Sequence, residues 1–144
     1  MIKKLLRKRS FEGARFLEKY WTVIIDATQL YSFNERHCEH CLKRTTNKGT
    51  EEERTYYYHN VLEAKIVLGD NLIVSIATEF IENEAEDVKK QDCERKAFKR
   101  LASKIKQDYP RLPICILGDS LYACAPVFQI CKENRWAYLI RYKD

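Results

Sequence analysis

The chain has 144 residues, 45% hydrophobic and 33% charged, and a formal charge of +5 from 26 Lys and Arg against 21 Asp and Glu. That length holds one domain of ordinary size or a piece of a larger one, and the composition excludes a disordered tail and a membrane-embedded chain. Four glycines and three prolines exclude collagen-like and low-complexity sequences and leave no material for a glycine-rich nucleotide cradle.

The charge excess resides in residues 1–20, where Lys3, Lys4, Arg7, Lys8, Arg9, Arg15 and Lys19 face only Glu12 and Glu18. A basic N-terminal arm over 1–20 ahead of a neutral body over 21–144 suits DNA, because each cation set on a phosphate releases a counterion. Lys3, Lys4, Arg7, Lys8 and Arg9 are the candidate DNA contacts; the alternative is a solvated terminus. Lysines interrupt Ile2, Leu5 and Leu6, so no signal-like or membrane-spanning run forms. The expectation is a cytoplasmic, nucleoid-associated protein with no membrane contact. Six cysteines without an export signal are expected to be reduced thiols.

Thr22-Val23-Ile24-Ile25 is a β-branched run that ends in Asp26 and stays apolar through Leu30, Tyr31 and Phe33. It reads as a buried central strand carrying an acid. Residues 34–54 are polar and read as a loop or small insertion. Within them, His37-Cys38-Glu39-His40-Cys41 has the two-residue gap of a zinc knuckle. Cys38, Cys41, His37 and His40 are therefore candidate Zn²⁺ ligands, with His59 a further donor if the loop folds back on the next strand. The alternative is a polar loop with free thiols.

From Tyr56 to Leu68 the chain alternates, Gly69-Asp70-Asn71 turns, and Leu72 to Ala77 returns, which predicts a β-hairpin. Tyr56, Tyr57 and Tyr58 suit base stacking, but strand propensity accounts for them equally. The acidic residues 82–87 lead into a helix whose apolar face is Cys93, Ala97, Phe98, Leu101 and Ile105 and whose other face is Lys96, Lys99, Arg100 and Lys104. Glu94 lies early on it, and Glu79 and Glu82 read as surface charges.

Tyr109-Pro110 stops that helix, and Pro113 to Leu117 is a short apolar strand closed by Gly118-Asp119. Leu121 to Glu133 reads as a second helix with Leu121, Ala125, Phe128 and Cys131 inward, and Pro126 in its first turn. Trp136 to Ile140 is the last strand. Cys93, Cys115, Cys124 and Cys131 fall on apolar faces as small core residues. The element order is β-β-β-α-β-α-β, an α/β fold with a mixed sheet. If the strand before Asp119 lies beside the strand before Asp26, both carboxylates leave the sheet at one edge. Two acids so placed repel unless a divalent cation sits between them.

Ile25-Asp26-Ala27-Thr28-Gln29-Leu30, Glu79-Phe80-Ile81-Glu82-Asn83 with Lys90-Gln91-Asp92-Cys93-Glu94, and Leu117-Gly118-Asp119-Ser120-Leu121-Tyr122-Ala123 resemble the DDE transposases of bacterial insertion sequences, over roughly residues 20–144. The resemblance implies an RNase H-like catalytic fold in which Asp26 and Asp119, with a downstream glutamate, bind Mg²⁺ or Mn²⁺ and drive nicking and strand transfer of DNA. Tyr122 matches the aromatic position after the second acid. Glu94 stands where ribonuclease H places an additional metal-supporting acid; its alternative is a solvated glutamate at a helix start. In the family the glutamate lies beyond the last strand, and this sequence stops at Asp144, a poor substitute at a free end. The expectation is a truncated or split core with two of three ligands, completed by a second copy or a second chain. The alternative function is a non-catalytic DNA-binding or interaction remnant. An ATP- or phosphate-transfer enzyme fits less well, since no Asp-x-Asp motif follows Ile25.

Overall fold

The structure, a computed structural model, describes residues 2–36, 38–69, 71–82 and 90–143. Three long strands form an antiparallel meander: β1 (Trp21–Phe33), β3 (Arg54–Gly69) and β4 (Leu72–Ile81). Residues opposite each other in such a ladder share a face. The pairs Val23↔Ile66 and Ile25↔Ala64 therefore put Trp21, Val23 and Ile25 on one surface with Leu62, Ala64, Ile66 and Leu68, and all seven are buried. That surface is covered by α2 (Lys90–Asp108), whose Ala97, Phe98, Leu101, Ala102 and Ile105 are buried on the side facing the sheet. Burying each large side chain in this layer contributes roughly 1.5–3 kcal/mol before the entropy of ordering is subtracted.

The second half of the chain adds parallel strands. β5 (Ile114–Gly118) lies beside β1, and β6 (Ala137–Ile140) lies beside β5, with α3 (Ala125–Asn134) crossing between them. With β2 (Leu42–Thr46) at one edge, the sheet reads β2-β3-β1-β5-β6, with β4 also paired to β3. Before β1, α1 (Ile2–Arg7) and a 3₁₀ turn at Glu12–Ala14 bring Leu6, Phe11 and Ala14 against the core.

Two elements differ from the sequence expectation. Residues 34–54 contain a strand, β2 (Leu42–Thr46), because β3 begins at Arg54 and offers an edge to pair with. Buried Leu42 anchors β2, and the Thr45 and Thr55 hydroxyls meet across the pair at 3.2 Å. The second helix starts at Ala125, not Leu121, because Asp119 first caps a 3₁₀ turn over Ser120–Tyr122. The inward residues of α3 are consequently Val127 and Cys131, and Ala125 is exposed. Pro126 sits in the first turn as expected. Asp70 of the hairpin turn, residues 83–87 of the acidic segment and the side chain of Cys93 lie outside the described residues. Among the described residues, no helix is long and apolar enough to cross a membrane.

Candidate functional site: an acidic cluster at the ends of parallel strands

β1 and β5 run parallel in the register Trp21↔Ile114, Thr22↔Cys115, Val23↔Ile116 and Ile24↔Leu117. Carried two residues further, the same offset sets Asp26 level with Asp119, on strands about 4.8 Å apart. Both residues thus follow the point where the β1–β5 pairing ends. Asp119 stands just past β5, where its Oδ1 accepts from the Leu121 N–H at 2.9 Å and fixes the 3₁₀ turn that follows.

That turn carries Tyr122 inward. Its ring packs against Phe98 with centroids 5.7 Å apart, and its hydroxyl is buried with no hydrogen-bond partner among the described residues. Burial raises the phenol above its ordinary pKa, and the negative charges of Glu94, Asp119 and Asp26, in that order, raise it further. Three carboxylates from β1, α2 and the β5 turn therefore act on one buried hydroxyl.

Glu94 is 4% exposed, so it is not the solvated helix-start residue that was the alternative. The signal was in the spacing: Glu94 precedes Ala97, Phe98, Leu101 and Ile105 in the same helical phase, so it turns toward the sheet with them. Glu94 and Asp119 line one cleft of about 540 Å³ together with Arg95, Ser120 and Lys143. Sequence reasoning missed Arg95 and Lys143, cations that border the acids.

A fourth carboxylate, Glu63, lies opposite Asp26 in the β1–β3 ladder. A hydrogen bond from Ser75 holds it below the usual carboxylate range, against some burial and aided by Lys65 with Nζ at 3.0 Å. It already has its counter-charge. Glu79 is likewise occupied: Arg100 Nε donates to it at 3.2 Å and Lys104 pairs with it, which docks α2 on β4. Both cations lie on the helix face opposite the apolar stripe, where Arg100 also donates to the Phe80 carbonyl at 2.8 Å and Lys104 to that of Thr78 at 3.2 Å.

Among the basic residues of the N-terminal segment, Lys3 pairs with Asp108 at 2.7 Å and stands over the Tyr109 ring. Arg7 lines the adjoining cleft with Lys3, while Lys4, Lys8 and Arg9 are exposed. Of the zinc candidates, Cys38 and Cys41 come together with His59, not with His40, whose Nε2 is 3.3 Å from Glu39 Oε1. His37 lies outside the described residues.

No protein-family profile matches the sequence, and no curated protein matches it significantly. Among solved structures, the fold is similar to the catalytic domain of Mos1 mariner transposase, with a TM-score of 0.51 and 12% identity. The similarity covers 97% of this chain and 56% of that one, so the chain spans little more than half of that structure. The likeness is one of fold: a mixed α/β architecture on a six-stranded sheet.

Proposed function

We propose that this chain is a catalytic core for DNA transposition of the kind bacterial insertion sequences encode, with Asp26, Asp119 and Glu94 as the acids that hold Mg²⁺ or Mn²⁺. The observation that supports the reading most is the parallel β1–β5 register, whose offset carried two residues on sets Asp26 level with Asp119, while buried Glu94 lines one cleft with Asp119. All three supply oxygen donors, the set a hard divalent cation takes, and the buried Tyr122 hydroxyl between their fields lacks a partner. The donor chemistry suits such an ion, although among the described residues these three carboxylates are not gathered into one ligand group. Bound there, it would supply activation of the attacking oxygen and stabilisation of the leaving one in phosphodiester chemistry.

The chain's own groups set the stage for that chemistry. Asp26 is held within β1, and Asp119, just past the end of β5, is oriented by the Leu121 N–H. Arg95 and Lys143 border the same cleft and suit a phosphate backbone, while Lys3, Lys4, Arg7, Lys8 and Arg9 extend the positive surface for DNA. Assembly with a second copy or a second chain belongs to the same proposal; exposed Tyr138 and Leu139 on β6 support it. The basic excess of residues 1–20 by itself also favours a second reading, a DNA-binding remnant without catalysis.

Mn²⁺ binding, followed by loss of the free-ion electron paramagnetic resonance signal, separates the two. The core reading expects saturable binding that falls at least about tenfold in Asp26→Asn, Asp119→Asn and Glu94→Gln. Nicking of supercoiled plasmid by the wild type, absent in the same variants, would complete it. Equal Mn²⁺ binding by all four proteins overturns the acidic site and leaves the DNA-binding reading.

A further inference from the structure

At the far end of β1 from the acidic cluster, a separate set of donors converges. The Cys38 and Cys41 sulfurs are 3.6 Å apart, and His59 Nε2 lies 3.4 Å from the first and 3.2 Å from the second. We propose that Cys38, Cys41 and His59 form a zinc site that ties the β1–β2 connection to the sheet.

The triangle has the dimensions of a metal site. With Zn–S near 2.3 Å and Zn–N near 2.0–2.1 Å, a tetrahedral ion sets its ligands about 3.8 Å apart for sulfur to sulfur and about 3.5 Å for sulfur to nitrogen. The three observed separations fall short of these by a few tenths of an ångström. Hydrogen bonding alone accounts for them poorly. A neutral imidazole nitrogen has one lone pair or one proton to offer, yet two sulfurs approach the same Nε2 as well as each other.

The fold builds this arrangement. Leu42↔Tyr58 and Lys43↔Tyr57 set the antiparallel register of β2 on β3, and one step back along it Cys41 faces His59. Cys38 is returned by a tight turn in which the Cys41 N–H donates to the Cys38 carbonyl at 3.2 Å. The Cys38 N–H in turn donates to the Cys41 sulfur at 3.3 Å, a contact that orients it toward the other two donors. Tyr31 and Phe80 stand edge-on to the His59 ring at 5.6 and 6.1 Å and limit its rotation. Two thiolates and one imidazole select a borderline-soft ion over the hard cations suited to the acidic cluster. Among the described residues no other His, Cys, Asp or Glu joins the group. The site does not depend on the function proposed above, since His59 pairs with Tyr31, five residues beyond Asp26 on β1.

The test uses the full chain, purified without chelator. About one equivalent of zinc per chain is expected, with Cys38 and Cys41 protected from iodoacetamide until zinc is stripped. Co²⁺ added to the stripped protein should give thiolate-to-cobalt charge transfer and the intense visible bands of a tetrahedral ion. Cys38→Ser, Cys41→Ser and His59→Gln should each lose most of the zinc, whereas His59→Cys and the distant Cys124→Ser should retain it. Should the ligand variants fail to fold, wild-type alkylation and the Co²⁺ spectrum decide alone. A chain that takes up no zinc or cobalt and whose two thiols alkylate at one rate with and without metal overturns the proposal. Zinc held undiminished by both Cys38→Ser and His59→Gln overturns it too.

Discussion

Gly118 presses its Cα against the ring of Tyr122. A Cβ at that position would come within 3.1 Å of Tyr122 Cδ2 and 3.5 Å of its Cγ. The glycine of the Gly118-Asp119 pair is therefore there for the phenol four residues on, which the 3₁₀ turn swings back over the strand end. Gly118→Ala is expected to cost about 1–2 kcal/mol in urea denaturation, because the buried ring must give way. Gly118→Val should cost more, and both should weaken Mn²⁺ binding through the displaced turn.

Tyr122 should be the last tyrosine to ionise, since burial and then Glu94, Asp119 and Asp26 all oppose a phenolate there. A folded-state pKa above the unfolded one makes its contribution complete below about pH 10, and lost as pH rises toward the folded value. Tyr122→Phe should remove that alkaline sensitivity. It should also leave neutral-pH stability unchanged or raise it by up to about 1 kcal/mol, because the hydroxyl it deletes has no partner. Tyrosinate absorbance at high pH and urea curves at pH 7 check the two halves.

Burial would raise the Glu79 carboxyl, but hydrogen bonds from Lys104 and Arg100 outweigh it and hold the pKa below the ordinary value. The sign of the linkage follows. The stabilisation is present above the unfolded carboxylate pKa and disappears as pH falls through the lower folded one. Both cations are largely solvated, which limits the pair network to about 1 kcal/mol. Glu79→Ala should lose about that much at pH 7 and nearly nothing at pH 2–3, as read from denaturation midpoints.

Arg135 ends α3 in the left-handed region at φ 58°, with its N–H returned to the Cys131 and Lys132 carbonyls. A side chain there is strained where glycine is not. Arg135→Gly should stabilise the chain by up to about 1 kcal/mol in thermal melts. No change in Mn²⁺ or zinc binding is expected.

The strands that carry the aspartates were legible because a β-branched run such as Thr22–Ile25 has few alternatives to a buried strand. Strand β2 was not, since only Leu42 among its five residues is buried and the segment scans as polar. Glu94 was visible in position but misread in environment. Its place in the phase of Phe98 and Leu101 outweighs the ordinary preference of a helix-start glutamate for water. His59 was anticipated as a donor, whereas His40 was misassigned, because sequence adjacency to Cys41 counts for less than strand register. Arg100 and Lys104 look like a free basic face in sequence, and only the packing of α2 on β4 shows that Glu79 engages them.

The parallel pairing of β1 with β5 has a kinetic consequence. Asp26 and Asp119 lie most of the chain apart, so bringing β5 beside β1 requires closing a long loop, whereas β1, β3 and β4 join through neighbours in sequence. Contacts of that span form slowly, because loop entropy is lost before any pairing rewards it. The acidic cluster is thereby assembled late and is the first to be dismantled when β5 opens. The Cys38–Cys41–His59 triangle belongs to the early, local half. Partial unfolding would thus silence one end of the molecule while the other still held its ion, an order that amide exchange would resolve strand by strand.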